Sequence, residues 1–137
     1  MKEFIWPVRV YYEDTDNGGV VYYANYLKFM ERARTEWLRA LGVEQDFLVK
    51  EYDLIFAVRS AQVEYRKPAR FNQMLNVTTA IAKTGKASIT FEQKITPAED
   101  NNRVLCDGLI RVVSLSASTF TPKPLPQAIS MEIFGGS

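Results

Sequence analysis

With 137 residues, 47% of them apolar and 24% charged, the chain is long enough to bury a core and ordinary in composition for a globular protein. Seventeen Lys and Arg against sixteen Asp and Glu leave a net charge of +1, which argues against bulk binding to nucleic acid or to a membrane surface. The chain has no histidine and one cysteine, Cys106, which excludes Ser-His and Cys-His catalysis, His-ligated zinc, His-based dehydration and an intrachain disulfide.

The elements follow in chain order. Phe4 to Tyr12 is apolar, aromatic and β-branched, which predicts a strand, with Pro7 marking an edge or an irregular start. Glu13-Asp14-Thr15-Asp16-Asn17-Gly18-Gly19 breaks that pattern as a tight acidic turn. From Tyr23 to Leu41 the apolar residues Tyr26, Met30, Ala33, Trp37 and Leu41 recur at spacings of three and four, which predicts one long helix. Asn25 is a candidate helper at the helix start, and Gly42 suits the position just past its end.

Val43 to Tyr52 reads as a short second helix. Strands are expected over Leu54 to Tyr65, Leu75 to Ala82, Ala87 to Thr96 and Val104 to Leu115, with Thr84-Gly85-Lys86 as a hairpin turn. Ala87, Ile89, Phe91 and Ile95 alternate with Ser88, Thr90, Glu92, Lys94 and Thr96, which predicts one buried and one wet face. Three prolines at 122, 124 and 126 predict an extended tail, and Gln127 to Phe134 a closing helix. Gly135-Gly136-Ser137 reads as a frayed end.

One long helix and about five strands joined mostly by short turns give an α+β class, with an antiparallel sheet curled around the helix. We read residues 1–137 as a single domain without internal repeats. The lone cysteine, the missing apolar leader and the lack of a membrane-length apolar stretch predict a cytoplasmic protein. Cys106 lies in an apolar run and reads as a buried thiol rather than a nucleophile.

The stretch VRVYYEDTDNGGVVYYANYLKFMERARTEWL, with Trp6-Pro7, Val63-Glu64-Tyr65, Pro68-Ala69-Arg70 and Pro122-Lys123-Pro124-Leu125-Pro126, resembles the hydroxybenzoyl-CoA thioesterase family. Within that family it is most similar to the branch associated with the Tol–Pal cluster of Gram-negative bacteria. The resemblance implies a hot-dog fold, dimers often paired into tetramers, acyl-CoA bound at subunit interfaces, and Asp16 as the catalytic carboxylate. Relatives in that branch carry histidine where this chain has Tyr23, whereas members of the aromatic-acyl type carry tyrosine there.

The candidate chemistry rests on few groups. A helix start offers unpaired N–H groups and a positive dipole end, which can polarise a thioester carbonyl. We assign that role to backbone N–H groups near Tyr23 and Ala24. A carboxylate near its reference pKa of ~3.9 is ionised at neutral pH and can attack the carbonyl or activate water. Asp16 is the candidate for that group, with Asp14 as its rival. From pattern alone, Asp16 reads equally well as a turn carboxylate capping its own backbone. Tyr23 is a candidate lining or donor residue, or a packed aromatic. Lys67, Arg70 and Lys86 are candidate partners for CoA phosphates as a group, although each singly reads as a solvated charge. Glu31 reads as a surface charge on the helix.

The expected function is hydrolysis of acyl-CoA to free acid and CoA, with no metal, no prosthetic group and acyl carrier protein as a further partner. The alternative is a non-catalytic module that binds acyl-CoA or acyl carrier protein.

Overall fold

The computed structural model describes residues 3–135. Its strands are β1 (Phe4–Arg9), β2 (Leu54–Tyr65), β3 (Met74–Gly85), β4 (Ser88–Pro97) and β5 (Cys106–Ser116); its helices are α1 (Ala24–Ala40), α2 (Gln45–Tyr52) and α3 (Gln127–Phe134). The sheet is antiparallel throughout, in the order β1-β3-β4-β5-β2. β1 and β2 are therefore opposite edges, and the connection through α1 and α2 must cross a whole sheet face. That crossing is what makes this a hot-dog fold: α1 is the filling and the curled sheet is the wrapper.

The helix forms where its apolar spacing predicts. Tyr26, Phe29, Met30, Ala33, Trp37 and Leu38 are buried on one face. They meet Leu75 and Val77 of β3, Ile89, Phe91 and Ile95 of β4, and Ile110 and Val112 of β5 in one core. The Trp37 and Phe91 rings meet edge to face at 5.2 Å. The helix ends at Gly42, whose φ of 83° is the left-handed cap that glycine adopts freely. Gly42 N–H donates to Arg39 and Val43 N–H to Leu38, the paired bonds of a Schellman motif.

Several expectations shift. β1 stops at Arg9 instead of Tyr12, because the backbone turns into a short 3₁₀ segment at Tyr12–Asp14 and Asp14 Oδ2 accepts the Tyr11 N–H at 2.8 Å. β3 runs to Gly85 rather than Ala82, since backbone pairing with β4 continues to Gly85 opposite Ser88 even where the side chains are polar. β5 begins at Cys106 rather than Val104. Asn25 does not cap α1; it is buried, and its Nδ2 donates back to the Asp14 carbonyl at 2.9 Å. The end read as frayed lies partly outside the described residues, at Gly136 and Ser137.

The buried face of β4 also holds a polar residue that alternation does not mark. Gln93 is fully buried. Its Nε2 donates to the Met30 carbonyl at 3.0 Å and to Thr79 Oγ1 at 2.9 Å, and its Oε1 accepts from Arg34 Nη1 at 2.9 Å. A buried amide is tolerable only when its donors and acceptor are matched in this way.

Candidate active site at the start of the long helix

The turn between β1 and α1 is held by its own backbone. Asp16 N–H donates to Val20, Gly19 N–H donates to Asp16, and Thr15 pairs with Val21 as an isolated bridge. Gly19 has a φ of 76°, so a side chain there would strain the loop. The carboxylate of Asp16 is exposed, and its Oδ1 accepts the Gly18 N–H at 2.9 Å. This Asx turn fixes the direction of the carboxylate.

Asp14 is employed differently. Its carbonyl accepts from Tyr22 N–H and Asn25 Nδ2, while its carboxylate accepts the Tyr11 N–H. Its carboxylate thus ties back to the end of β1, while its backbone carbonyl joins the turn to the start of α1. β1 ends at Arg9, so strand alternation does not set the directions of Asp14 and Asp16.

α1 begins with Tyr23 as the residue before its first turn, in helical conformation and without a side-chain cap. Asn25 N–H donates to Tyr22 and Tyr26 N–H to Tyr23. Tyr23 and Ala24 N–H have no carbonyl acceptor among the described residues. They are the orphan donors expected at a helix start.

Residues 66–71 lie along this turn. Val21 N–H donates to the Ala69 carbonyl at 2.8 Å, Phe71 N–H donates to Gly19, and Val20 pairs with Arg70. Tyr26 Oη accepts the Ala69 N–H at 2.9 Å. Arg66 and Lys67 N–H both donate to the Leu105 carbonyl, which anchors the bend after β2. Exposed Lys67 and Arg70 thus sit in the segment beside Asp16. Lys86 does not join them within one protomer. It occupies the β3–β4 hairpin, at the far end of a twelve-residue strand; that is roughly 35 Å at the usual rise.

The tyrosines around the helix start were not all legible in advance. Tyr23 contacts Tyr22 at 4.8 Å between ring centroids and Tyr65 at 5.8 Å; Tyr65 also contacts Tyr26 at 5.6 Å. Burial raises the Tyr26 and Tyr65 phenols above their ordinary value. Tyr65 carries no chemical motif of its own; the signals for it are its place in Val63-Glu64-Tyr65 and at the end of the predicted strand.

A cavity of about 260 Å³ lies farther along α1, lined by Arg34, Trp37, Leu38, Phe56, Phe91 and Val112 among others. Its centre is about ten residues past the helix start, roughly 15 Å along the axis, so it is not where the Asp16 turn and the orphan donors meet. Glu31 lies at its lip and accepts the Thr35 hydroxyl at 2.7 Å. Among the described residues, no group of three or more Cys, Asp or Glu side chains gathers to hold a metal, and no helix is long and apolar enough to cross a membrane.

Comparison with known proteins bears on this arrangement. The chain is 46% identical over 129 residues to the acyl-CoA thioester hydrolase YbgC of Escherichia coli O157:H7, covering 94% of each chain. It is 40% identical over 126 residues to the acyl-CoA thioesterase YbgC of Haemophilus influenzae, covering 92% of this chain and 90% of that one. The crystal structure of a probable thioesterase from Bartonella henselae superposes with a TM-score of 0.85 at 31% identity, over 91% of this chain and all of that one. The 1,4-dihydroxy-2-naphthoyl-CoA thioesterase of Synechocystis shares the fold, with a TM-score of 0.87 at 23% identity over 96% of each chain. The model of the thioesterase superfamily matches residues 18–103, a span that begins two residues after Asp16 and runs through α1 into the sheet. With that match over more than half of its length, the chain belongs to the thioesterase superfamily.

Proposed function

We propose that the protein hydrolyses acyl-CoA thioesters to a free acid and CoA, with Asp16 as the reactive carboxylate. What supports this reading is a carboxylate fixed in the turn that leads into α1, together with two unaccepted N–H groups, Tyr23 and Ala24, at the start of that helix. A thioester oxygen bonded to those donors would be polarised and its developing charge stabilised. Two routes follow. In one, Asp16 attacks the carbonyl carbon, the C–S bond breaks, CoA leaves as thiolate, and water opens the mixed anhydride. In the other, Asp16 takes a proton from water, which attacks in its place. Tyr23 would line the carbonyl site.

Lys67 and Arg70 are our candidates for the CoA phosphates on the same protomer. Lys86 would join from a second copy, since it lies at the far end of β3. A dimer or tetramer is the assembly this requires. We assign the cytoplasm as the compartment, in keeping with a reduced, buried Cys106.

One observation favours a second reading. Asp16 Oδ1 already accepts the Gly18 N–H, as a purely structural turn would have it. On that reading the protein binds acyl-CoA or acyl carrier protein without turnover. Free-thiol release measured across short, branched, long and aromatic acyl-CoAs separates the two. Turnover of at least one class supports the hydrolase. No release from any of them, together with measurable acyl-CoA binding, makes the protein a binding module.

A further inference from the structure

We propose that Tyr65 discriminates between acyl groups by shape, favouring planar ones over puckered ones; this rests on the hydrolase reading above. Along β2, Tyr65, Val63 and Ala61 pair with Cys106, Gly108 and Ile110 of β5. Those β5 residues are buried, so this parity of β2 faces the helix. Tyr65 is the last residue of that edge strand, and the residue is 44% exposed.

The ring packs against two other tyrosines and is otherwise open. It leans on Tyr26, which is 3% exposed and tied by its hydroxyl to Ala69 N–H. Its backbone is followed directly by the two N–H groups that bond to Leu105, so the strand end is anchored. On its remaining flank it meets Tyr23 edge to face, with an interplanar angle of 78°. Tyr22, Tyr23 and Tyr65 are all partly open to solvent beside the unaccepted Tyr23 and Ala24 N–H groups. A carbonyl oxygen bonded to those N–H groups leads its acyl carbons past this array.

Aromatic rings prefer offset or edge-to-face neighbours. A planar acyl group continues the series already formed by Tyr23, Tyr65 and Tyr26. A saturated ring of the same carbon count presents axial hydrogens and fits the same wall less closely. The discrimination is therefore one of shape and ring character, and it does not depend on the Tyr65 hydroxyl.

The test compares benzoyl-CoA with cyclohexanecarbonyl-CoA in the full chain. In Tyr65→Leu, the ratio of kcat/KM values (benzoyl over cyclohexanecarbonyl) falls about two- to tenfold, the span expected for losing one aromatic contact. Tyr65→Phe leaves that ratio unchanged. Tyr65→Met serves if the leucine variant fails to fold. The same ratio is read as Kd for non-hydrolysable thioether analogues of the two ligands, so a failure of the hydrolase reading leaves this inference still measurable. It is overturned if Tyr65→Leu lowers both substrates by one factor, or if Tyr65→Phe moves the ratio as far as Tyr65→Leu does.

Discussion

The Tyr26 hydroxyl accepts the Ala69 N–H at 2.9 Å, joining the buried face of α1 to a residue 43 positions away in sequence. Ala69 is fully buried, and its carbonyl accepts from Val21. That side chain joins the backbone bonds of Val21 to Ala69 and of Phe71 to Gly19 in seating the segment carrying Lys67 and Arg70 against the turn carrying Asp16. Tyr26→Phe removes the acceptor and leaves a buried N–H without one, at a cost of about 1–3 kcal/mol. We expect a melting temperature lower by several degrees and faster amide exchange at Ala69 than at core positions of β4. An unchanged melt with unchanged exchange would show that the segment is held by other means.

Gln93 carries a second long-range link. Its side chain joins Met30 of α1, Thr79 of β3 and Arg34. Burial pushes the Arg34 guanidinium below its ordinary value, while nearby Glu31 works against that shift. Gln93→Leu deprives Arg34 of its amide acceptor and leaves Thr79 unpaired. We expect a loss of about 2–4 kcal/mol in chemical denaturation, at the upper end for a single substitution. Adding Arg34→Met to that variant recovers part of the loss, because removing both partners of a buried polar pair costs less than removing one. Strict additivity of the two losses would contradict this.

Cys106 gives a pH dependence. Burial, helped by Asp107, pushes its thiol up to about 12. An unfolded chain releases that proton at about 8.5. The folded state thus holds the proton more tightly, so this contribution to stability is complete below about 8.5 and is lost as pH rises from there towards 12. Lysines and tyrosines titrate over the same range, so the measurement is the difference between wild type and Cys106→Ala. The wild type should lose stability more steeply with rising pH, and its thiol should react with a disulfide reagent only on unfolding. Equal slopes, or rapid labelling of the native protein at pH 8, would refute the account.

The parts of the fold that follow from local pattern were readable in the sequence. The three-and-four spacing from Tyr26 to Leu41 marked α1, Gly42 marked its end, and β2 was bounded at Leu54 and Tyr65 as the structure has it. What depends on partners was not readable. Gln93 looks like a gap in an apolar face until Met30, Thr79 and Arg34 are seen around it. The end of β3 is polar, so the apolar pattern stops at Ala82, although the backbone pairs with β4 as far as Gly85. At the site, the glycine-bearing turn and the helix start were evident. The contacts of Tyr65 with Tyr23 and Tyr26 were not, because no local rule brings the end of β2 to the start of α1.

The most direct measurement is the turnover of Asp16→Asn on whichever acyl-CoA the wild type cleaves, read by thiol release beside the Kd of a thioether analogue. Asparagine keeps the shape and can still accept the Gly18 N–H, but it can neither attack a thioester as a carboxylate nor take a proton from water. We predict that kcat falls by about 10²-fold or more while the Kd stays within roughly threefold. Turnover within about tenfold of wild type would contradict the account and reduce Asp16 to a residue that only shapes its turn.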